Sequence, residues 1–173
     1  MASTYTPIAT TTLGSAASSV TFSSISGSYT DLILVTNSAS SNTIGFQYLR
    51  FNSDSNTNYS ATSLSGDGTS ATSQRSSNSN KGWLGYWTGI ENTIKANSIT
   101  HIQNYSNATT YKSWLTRNNN PNGSQYSLGT EAMVGLWRST SAITSITIYN
   151  QASGTDYNFA TGSTFTLYGV LNA

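Results

Sequence analysis

The sequence predicts an all-β fold: an antiparallel β-sandwich of the jelly-roll type, formed by a single domain over residues 1–173. Short apolar or alternating segments recur along the whole chain and are separated by Gly, Ser, Asn and Asp, which is the pattern of strands and turns. No segment shows convincing helical periodicity; residues 90–99 come nearest, but their Asn, Thr and Ser content favours a turn or two at most. A chain of 173 residues exceeds a seven-stranded immunoglobulin-type unit, which favours the jelly roll.

The strands follow one another at short intervals. They are predicted at residues 6–12, 18–25, 31–37, 44–51, 58–64, 82–88, 97–105, 111–117, 129–138, 143–150 and 163–170. Residues 31–36 form a continuous apolar run, which predicts a central strand covered on both faces. Residues 164–170 alternate instead, with Phe165, Leu167 and Gly169 on one face, and residues 143–150 alternate in the same way.

Two segments are rich in turn-forming residues. Residues 53–80, apart from the strand that begins at 58, are predicted as a loop because Ser, Asn, Asp and Gly are dense there. Residues 118–123 are predicted as a turn, with an Asn-Gly pair that tolerates positive φ. Neither an internal repeat nor a linker divides the chain, so a single domain is expected.

The composition excludes several function classes. Charged residues make up 8% of the chain, against about a quarter in a typical soluble domain. Seven Lys and Arg, scattered among six Asp and Glu, cannot form a nucleic-acid-binding face. Disorder is not expected, because 12% of the residues are aromatic. The apolar runs are far shorter than the ~20 residues of a membrane span, and no signal peptide is recognised.

Catalytic, metal and cofactor sites are all predicted to be absent. The single histidine, His101, alternates with isoleucines in a strand pattern and is interpreted as a packed or rim residue. Asp54 lies in a run of oxygen-bearing side chains at 52–56, but a closing Glu is missing and a plain turn is favoured over a calcium loop. There is no cysteine for a disulfide or a thiolate metal site. Glycoside hydrolysis would need a pair of acids, for which Glu91 and Glu131 are the candidates.

The aromatic residues are the most informative group that remains. Trp83, Tyr86 and Trp87 lie in one predicted strand, which would place both tryptophans on one face and Tyr86 on the other. One face is expected to be core, and the other to be either a protein interface or a platform for stacking sugars. Packing in the core is the alternative for all three, and the same two interpretations apply to Trp114 and Trp137.

Four segments carry a resemblance to a known family. Residues 4–15, TYTPIATTTLGS, continue into VTFSSI at 20–25 and YTDL at 29–32. Residues 102–112, 135–140 and 159–169 read IQNYSNATTYK, GLWRST and FATGSTFTLYG. Together they resemble a family of small virion structural proteins of tailed phages, notably phages of cyanobacteria and other aquatic bacteria. The resemblance implies a jelly-roll-like fold and associates no catalytic residue with these motifs.

The expectation is therefore a non-enzymatic structural protein on the capsid surface of a virion. It would be a cement or decoration protein that forms a homotrimer, binds the major capsid protein and stabilises the assembled shell, without nucleic-acid or membrane partners. The alternative is a tail-fibre or tail-tip protein that recognises a cell-surface glycan. A carbohydrate-active enzyme that uses Glu91 and Glu131 is the third possibility.

Overall fold

The computed structural model describes residues 4–42, 44–86, 89–92, 94–119 and 129–171. Over these ranges the chain forms fourteen strands and no helix, and the strands pair antiparallel, so the all-β, single-domain prediction is confirmed. The strands are β1 (Tyr5–Thr12), β2 (Ser19–Phe22), β3 (Asp31–Ser38), β4 (Ile44–Phe51), β5 (Tyr59–Gly66), β6 (Ala71–Ser79), β7 (Gly82–Trp83), β8 (Ile90–Glu91), β9 (Ala96–Gln103), β10 (Lys112–Asn119), β11 (Thr130–Trp137), β12 (Ile146–Ala152), β13 (Thr155–Tyr157) and β14 (Thr164–Val170).

The strands form two sheets of unequal size. The large sheet has eight strands in the order β1-β14-β3-β9-β10-β11-β5-β6. The small sheet has six, in the order β13-β12-β4-β7, with β2 also pairing to β12 and β8 to β4. In the part of the chain that is described, no helix could cross a membrane.

The core lies between the two sheets and is built by strict alternation. β3 and β4 each show eight residues in which every second side chain is buried, as expected of strands with one face on a core. At its centre four aromatic rings pack together, with Phe51 5.6 Å from Trp114 and 5.5 Å from Trp137 between ring centroids. Tyr59 stacks on Trp137 at 6.3 Å. Trp114 and Trp137 are therefore core residues and not surface anchors.

The predicted loop at 53–80 is wrong over residues 71–79, which form β6 and pair with β5. The polar side chains of β6 concealed it, because a strand at the edge of a sheet with both faces largely exposed needs no apolar alternation. Asp67 makes the connecting turn, since its Oδ1 accepts hydrogen bonds of 2.7 Å from the backbone N–H groups of both Thr69 and Ser70.

The other predicted elements agree with the structure to different degrees. β4 has the predicted bounds of 44–51, whereas the short strands β8 and β13 were not predicted. In the predicted turn at 118–123, Asn118 and Asn119 belong to β10. The remaining four residues lie outside the described part of the chain.

Candidate functional site

Four aromatic side chains line up across the outer face of the small sheet. Tyr149 of β12 lies directly opposite Tyr48 of β4, which lies opposite Trp83 of β7. The ring of Tyr86 then stacks on Trp83, with 4.6 Å between centroids and 13° between planes. All four side chains are half-buried. We call these four residues the aromatic row; because adjacent strands lie about 4.8 Å apart, they form a continuous band across the strands.

Tyr86 reaches the row because the chain leaves the strand conformation immediately after Trp83. Leu84 turns into the core and its N–H donates to the carbonyl of Gln47 at 3.0 Å. The N–H of Tyr86 then donates to both carboxylate oxygens of Glu131, at 3.1 and 3.0 Å. The prediction that Trp83 and Tyr86 lie on opposite faces is therefore wrong, since their rings are in contact. Trp87 lies outside the described residues.

Two cations lie against the rings of the row. The Lys81 ammonium is 4.0 Å from the centroid of the Tyr48 ring, and the Arg50 guanidinium is 5.2 Å from that of Tyr149. Both distances are within the range of a cation–π interaction. Arg50 Nε also donates to the carbonyl of Asn80 at 3.0 Å, which fixes the orientation of its side chain.

An amide and a carboxylate lie beside the cations. The Gln151 side chain accepts a hydrogen bond from Lys81 Nζ and donates one to Asp156 Oδ1. Burial lowers the pKa of Lys81, the nearby Arg50 lowers it further, and Asp156 acts in the opposite direction. Burial and the neighbouring Tyr86 raise the pKa of Tyr48. The face thus combines ring surfaces, two close cations and a set of hydrogen-bonding groups.

The large sheet has an outer face of different chemistry. Exposed apolar side chains come from four neighbouring strands of this sheet: Leu64 is 63% exposed, Val134 56%, Ile99 40% and Leu115 39%. Ile33 and Val35 of β3 complete the set and are half-buried. We call these six residues the apolar strip.

The apolar strip corrects the prediction for β3. Residues 31–36 were expected to be covered on both faces, but only Leu32, Leu34 and Thr36 point into the core, while Ile33 and Val35 lie on the open face. A shallow depression of ≈ 630 Å³ passes between Leu64 and Ile99. A second of ≈ 310 Å³ is lined by Ile33 and Val35.

Few charges interrupt the strip. Arg117 lies opposite Ile99 in the register of β10 and β9. His101 lies between Ile33 of β3 and Leu115 of β10 in the register, and its Nε2 is hydrogen-bonded to Asp31 Oδ2 at 2.8 Å. Among the described residues His101 hydrogen-bonds to no serine, and no three His, Cys, Asp or Glu side chains are grouped as a metal site would need.

The acidic residues that were considered for chemistry have structural contacts. Asp54 Oδ2 accepts hydrogen bonds from Trp137 Nε1 at 2.7 Å and Asn58 Nδ2 at 2.8 Å, so it organises a turn. Glu131 is buried on β11 of the large sheet and holds Tyr86, whereas Glu91 is buried on β8 of the small sheet.

Most residues on this outer face of the small sheet were not predicted from the sequence to form a site. Tyr48, Arg50 and Tyr149 were assigned only to strands, although alternation in β4 and β12 already places them opposite the buried residues of those strands. What alternation cannot supply is the pairing of β12 with β4, about a hundred residues apart in sequence, and of β4 with β7, about 35 apart, which brings these side chains together.

No protein-family model, no curated protein and no solved structure matches this chain. The two faces are therefore interpreted from their own chemistry.

Proposed function

We propose that this chain is a structural protein of a tailed-phage virion: a capsid cement protein that forms a homotrimer and binds the major capsid protein on the outer surface of the shell. The resemblance of four sequence segments to such a family is one support. The uncovered apolar strip is the other, and it is the observation that carries the proposal. No enzymatic role is proposed.

We further propose that the two sheets are a jelly roll with added strands. In a jelly roll the chain folds over on itself, so that strands from its two ends pair in each sheet. The pairing of β1 with β14 and of β2 with β12 supports this, as does the position of β3 beside β14 and of β4 beside β12. On this interpretation β10, β11, β5 and β6 extend the large sheet.

The apolar strip supports assembly because β3 has the composition of a strand buried on both faces. Such near-continuous apolar runs belong to sheets that are covered on each side. In the single chain only one side of β3 is covered, and Ile33 and Val35 remain on the open side, where Val35 lies opposite Ile99 and Ile33 lies opposite His101. Contiguous exposed apolar surface of this kind marks a protein–protein interface.

A second copy of this chain is the occupant that the strip fits best. Interfaces between identical subunits are more apolar and poorer in charge than other surfaces. The charged side chains beside the strip are few: Arg117 lies opposite Ile99, Arg75 lines a depression with Val134, and Asp31 is hydrogen-bonded to His101. Self-association therefore meets little like-charge repulsion and needs no partner of opposite charge.

The oligomeric state tests this proposal. We expect the purified chain to be a trimer by light scattering coupled to size-exclusion chromatography. Val134→Asp and Leu64→Asp should give folded monomers, because each places a carboxylate in the buried contact, and they should unfold at a lower temperature than the trimer because association stabilises the folded chain. Ile94→Asp is the matched control, because Ile94 is an exposed apolar residue, 40% accessible, that lies outside the strip. A monomeric wild-type chain, or trimers that survive both strip substitutions, would contradict the proposal.

The aromatic row favours a second candidate function, a tail-fibre or tail-tip protein that recognises a cell-surface glycan. The two functions differ in location and in copy number: a cement protein covers the shell, whereas a receptor-binding protein is confined to the tail. Immunogold labelling of intact particles separates them. Label over the capsid supports the cement protein, and label at the tail supports the alternative.

A further inference from the structure

We infer that the outer face of the small sheet binds an acidic oligosaccharide, whose sugar rings stack on the aromatic row and whose carboxylate lies between Arg50 and Lys81. This inference does not depend on the proposed trimer, because it concerns the other sheet. It also does not depend on whether the protein is located on the capsid or on the tail.

The first support is the shape of the row. Tyr149, Tyr48 and Trp83 lie opposite one another on three neighbouring strands, so the row runs about 10 Å across the sheet before Tyr86 extends it. One face of each ring is covered by Lys81, by Arg50 or by the Trp83–Tyr86 stack, and the half-exposed remainder combines apolar carbon surface with polar hydroxyl and indole groups. That combination suits a ligand with apolar C–H faces and polar hydroxyl edges, which describes a pyranose ring.

The second support is that the row is held in place before any ligand arrives. Glu131 is buried and binds the N–H of Tyr86 through both carboxylate oxygens. The carbonyl of Trp83 accepts a 3.0 Å hydrogen bond from the buried indole N–H of Trp114. These bonds fix the backbone of the row to the core, so little further conformational entropy of the protein is lost when a ligand binds.

The third support is the charge on the face. Arg50 is close enough to Lys81 to lower the pKa of its ammonium group, and among the described residues neither cation forms a salt bridge with a carboxylate. In a chain with only seven Lys and Arg, two cations on one face stand out, because Asp156 reaches Lys81 only through the Gln151 amide. An anionic group between them would relieve the repulsion and form charge-assisted hydrogen bonds.

The fourth support selects a hydroxyl-rich ligand over a simple anion. The Gln151 amide and the Asp156 carboxylate lie next to Lys81 in one hydrogen-bonded chain. Asp156 is exposed, and a carboxylate is an acceptor for sugar hydroxyl groups. A polynucleotide would also stack on aromatic rings, but it needs a longer series of cations along its backbone than Arg50 and Lys81 provide.

Titration with defined oligosaccharides tests the inference. The probes are oligogalacturonate, as the acidic ligand, and cello-oligosaccharide of the same length, as the neutral one, with binding followed by calorimetry. We expect the oligogalacturonate to bind and its affinity to fall as salt rises, because the carboxylate contacts are partly exposed. We expect the neutral probe to bind at least about tenfold more weakly, the factor that one hydrogen bond to a charged group contributes.

Single substitutions locate the site. Arg50→Gln and Lys81→Gln should each weaken oligogalacturonate binding by about tenfold, and Tyr149→Ala should weaken both probes. Arg75→Gln is the matched control, since Arg75 is an exposed arginine on β6 of the other sheet. Thermal unfolding of each variant verifies its fold, and the two cation variants provide independent tests if one of them is unstable.

Three results would overturn the inference. The first is that neither probe binds at millimolar concentration. The second is that both probes bind with equal affinity and that Arg50→Gln changes neither affinity. The third is tighter binding of a single-stranded oligonucleotide than of oligogalacturonate. The monomeric Val134→Asp variant should bind oligogalacturonate like the wild type, so that failure here and failure of the trimer proposal are observed separately.

Discussion

Asp54 joins a surface turn to the largest side chains of the core. Its Oδ2 accepts the indole N–H of Trp137, which is otherwise buried, and its Oδ1 accepts the backbone N–H of Asn56 at 2.9 Å. Partial burial acts to raise the pKa of Asp54, but the hydrogen bonds from Asn58, Trp137 and Asn56 outweigh it and lower that pKa below its ordinary value. The ionised carboxylate is therefore the form that stabilises the fold.

Replacement of this carboxylate should change the pH dependence of stability. Because the pKa of Asp54 is lowered on folding, its contribution is present above about pH 4 and is lost as the pH falls further. Asp54→Asn should reduce the free energy of unfolding by about 1–2 kcal/mol at neutral pH and flatten the decline in acid. Denaturant titrations from pH 7 to pH 2.5 measure both effects. Asp156→Asn is the control, and an unchanged acid decline in Asp54→Asn would contradict this role.

Tyr59 should control stability at the other end of the pH range. Its hydroxyl accepts the N–H of Phe51 at 3.0 Å inside the core, and burial raises its pKa well above the ordinary value of 10.0. The folded chain keeps the neutral phenol while the unfolded chain ionises, so stability should fall as the pH rises above about 10.

Tyr59→Phe tests this expectation. It should cost about 1–2 kcal/mol at neutral pH and make the alkaline decline shallower, with a remaining slope from other buried tyrosines such as Tyr105. Tyr111→Phe, at a 56% exposed position, is the matched control and should change neither quantity. Alkaline unfolding followed by circular dichroism distinguishes the variants. An alkaline decline as steep in Tyr59→Phe as in the wild type would show that this phenol is not its cause.

At the scale of the elements, alternation in the sequence predicts the strands that contribute to the core and fails for those that do not. β4 was predicted with its observed bounds because it is rich in apolar and aromatic residues, and every second residue of it is buried. β6 was missed because both of its faces are largely exposed to solvent and it pairs with another strand, β5, along one edge. β7 was predicted too long, since the side chain of Glu131, distant in sequence, draws the chain at Tyr86 away from the strand direction.

The contact between β10 and β11 depends on the absence of a side chain at Gly135. A Cβ atom at this position would lie 2.0 Å from the Trp114 indole, which cannot retreat because it is buried and bonded to the Trp83 carbonyl. Gly135→Ala should therefore destabilise the fold by about 3 kcal/mol, as overpacking of a core does. Gly14→Ala, where no atom lies within 4 Å, is the control. Equal thermal midpoints for the two variants would contradict the packing of Trp114.

At the scale of the whole molecule, the two sheets expose faces of opposite character. The large sheet carries the apolar strip and few charges, whereas the small sheet carries the aromatic row with Arg50 and Lys81. A protein that attaches to a particle through one face and meets the surroundings with the other would need this division. The proposed trimer and the proposed saccharide site can therefore coexist in one molecule.

The sequence predicted the class of the fold but not the chemistry of its two outer faces. The apolar run of β3 predicted burial on both sides, but only one side is covered in the single chain, because a run of apolar residues does not specify whether a second cover comes from the same chain or from another. The aromatic row depends on strand order, and only Trp83 and Tyr86 were identified beforehand. The sequence allowed the same two interpretations, core or surface, for Trp114 and Trp137, and both are buried in the core.

The number of copies in a particle tests the central claim most directly. Quantitative mass spectrometry of purified virions gives the molar ratio of this chain to the major capsid protein. If the chain is a cement protein that decorates the shell as trimers, this ratio should be fixed by the number of trimer sites on the shell. The ratio should not change when particles are purified in high salt, because salt screens apolar contacts only weakly. A ratio that matches only the few positions of a tail, or complete absence from the particle, would contradict the account.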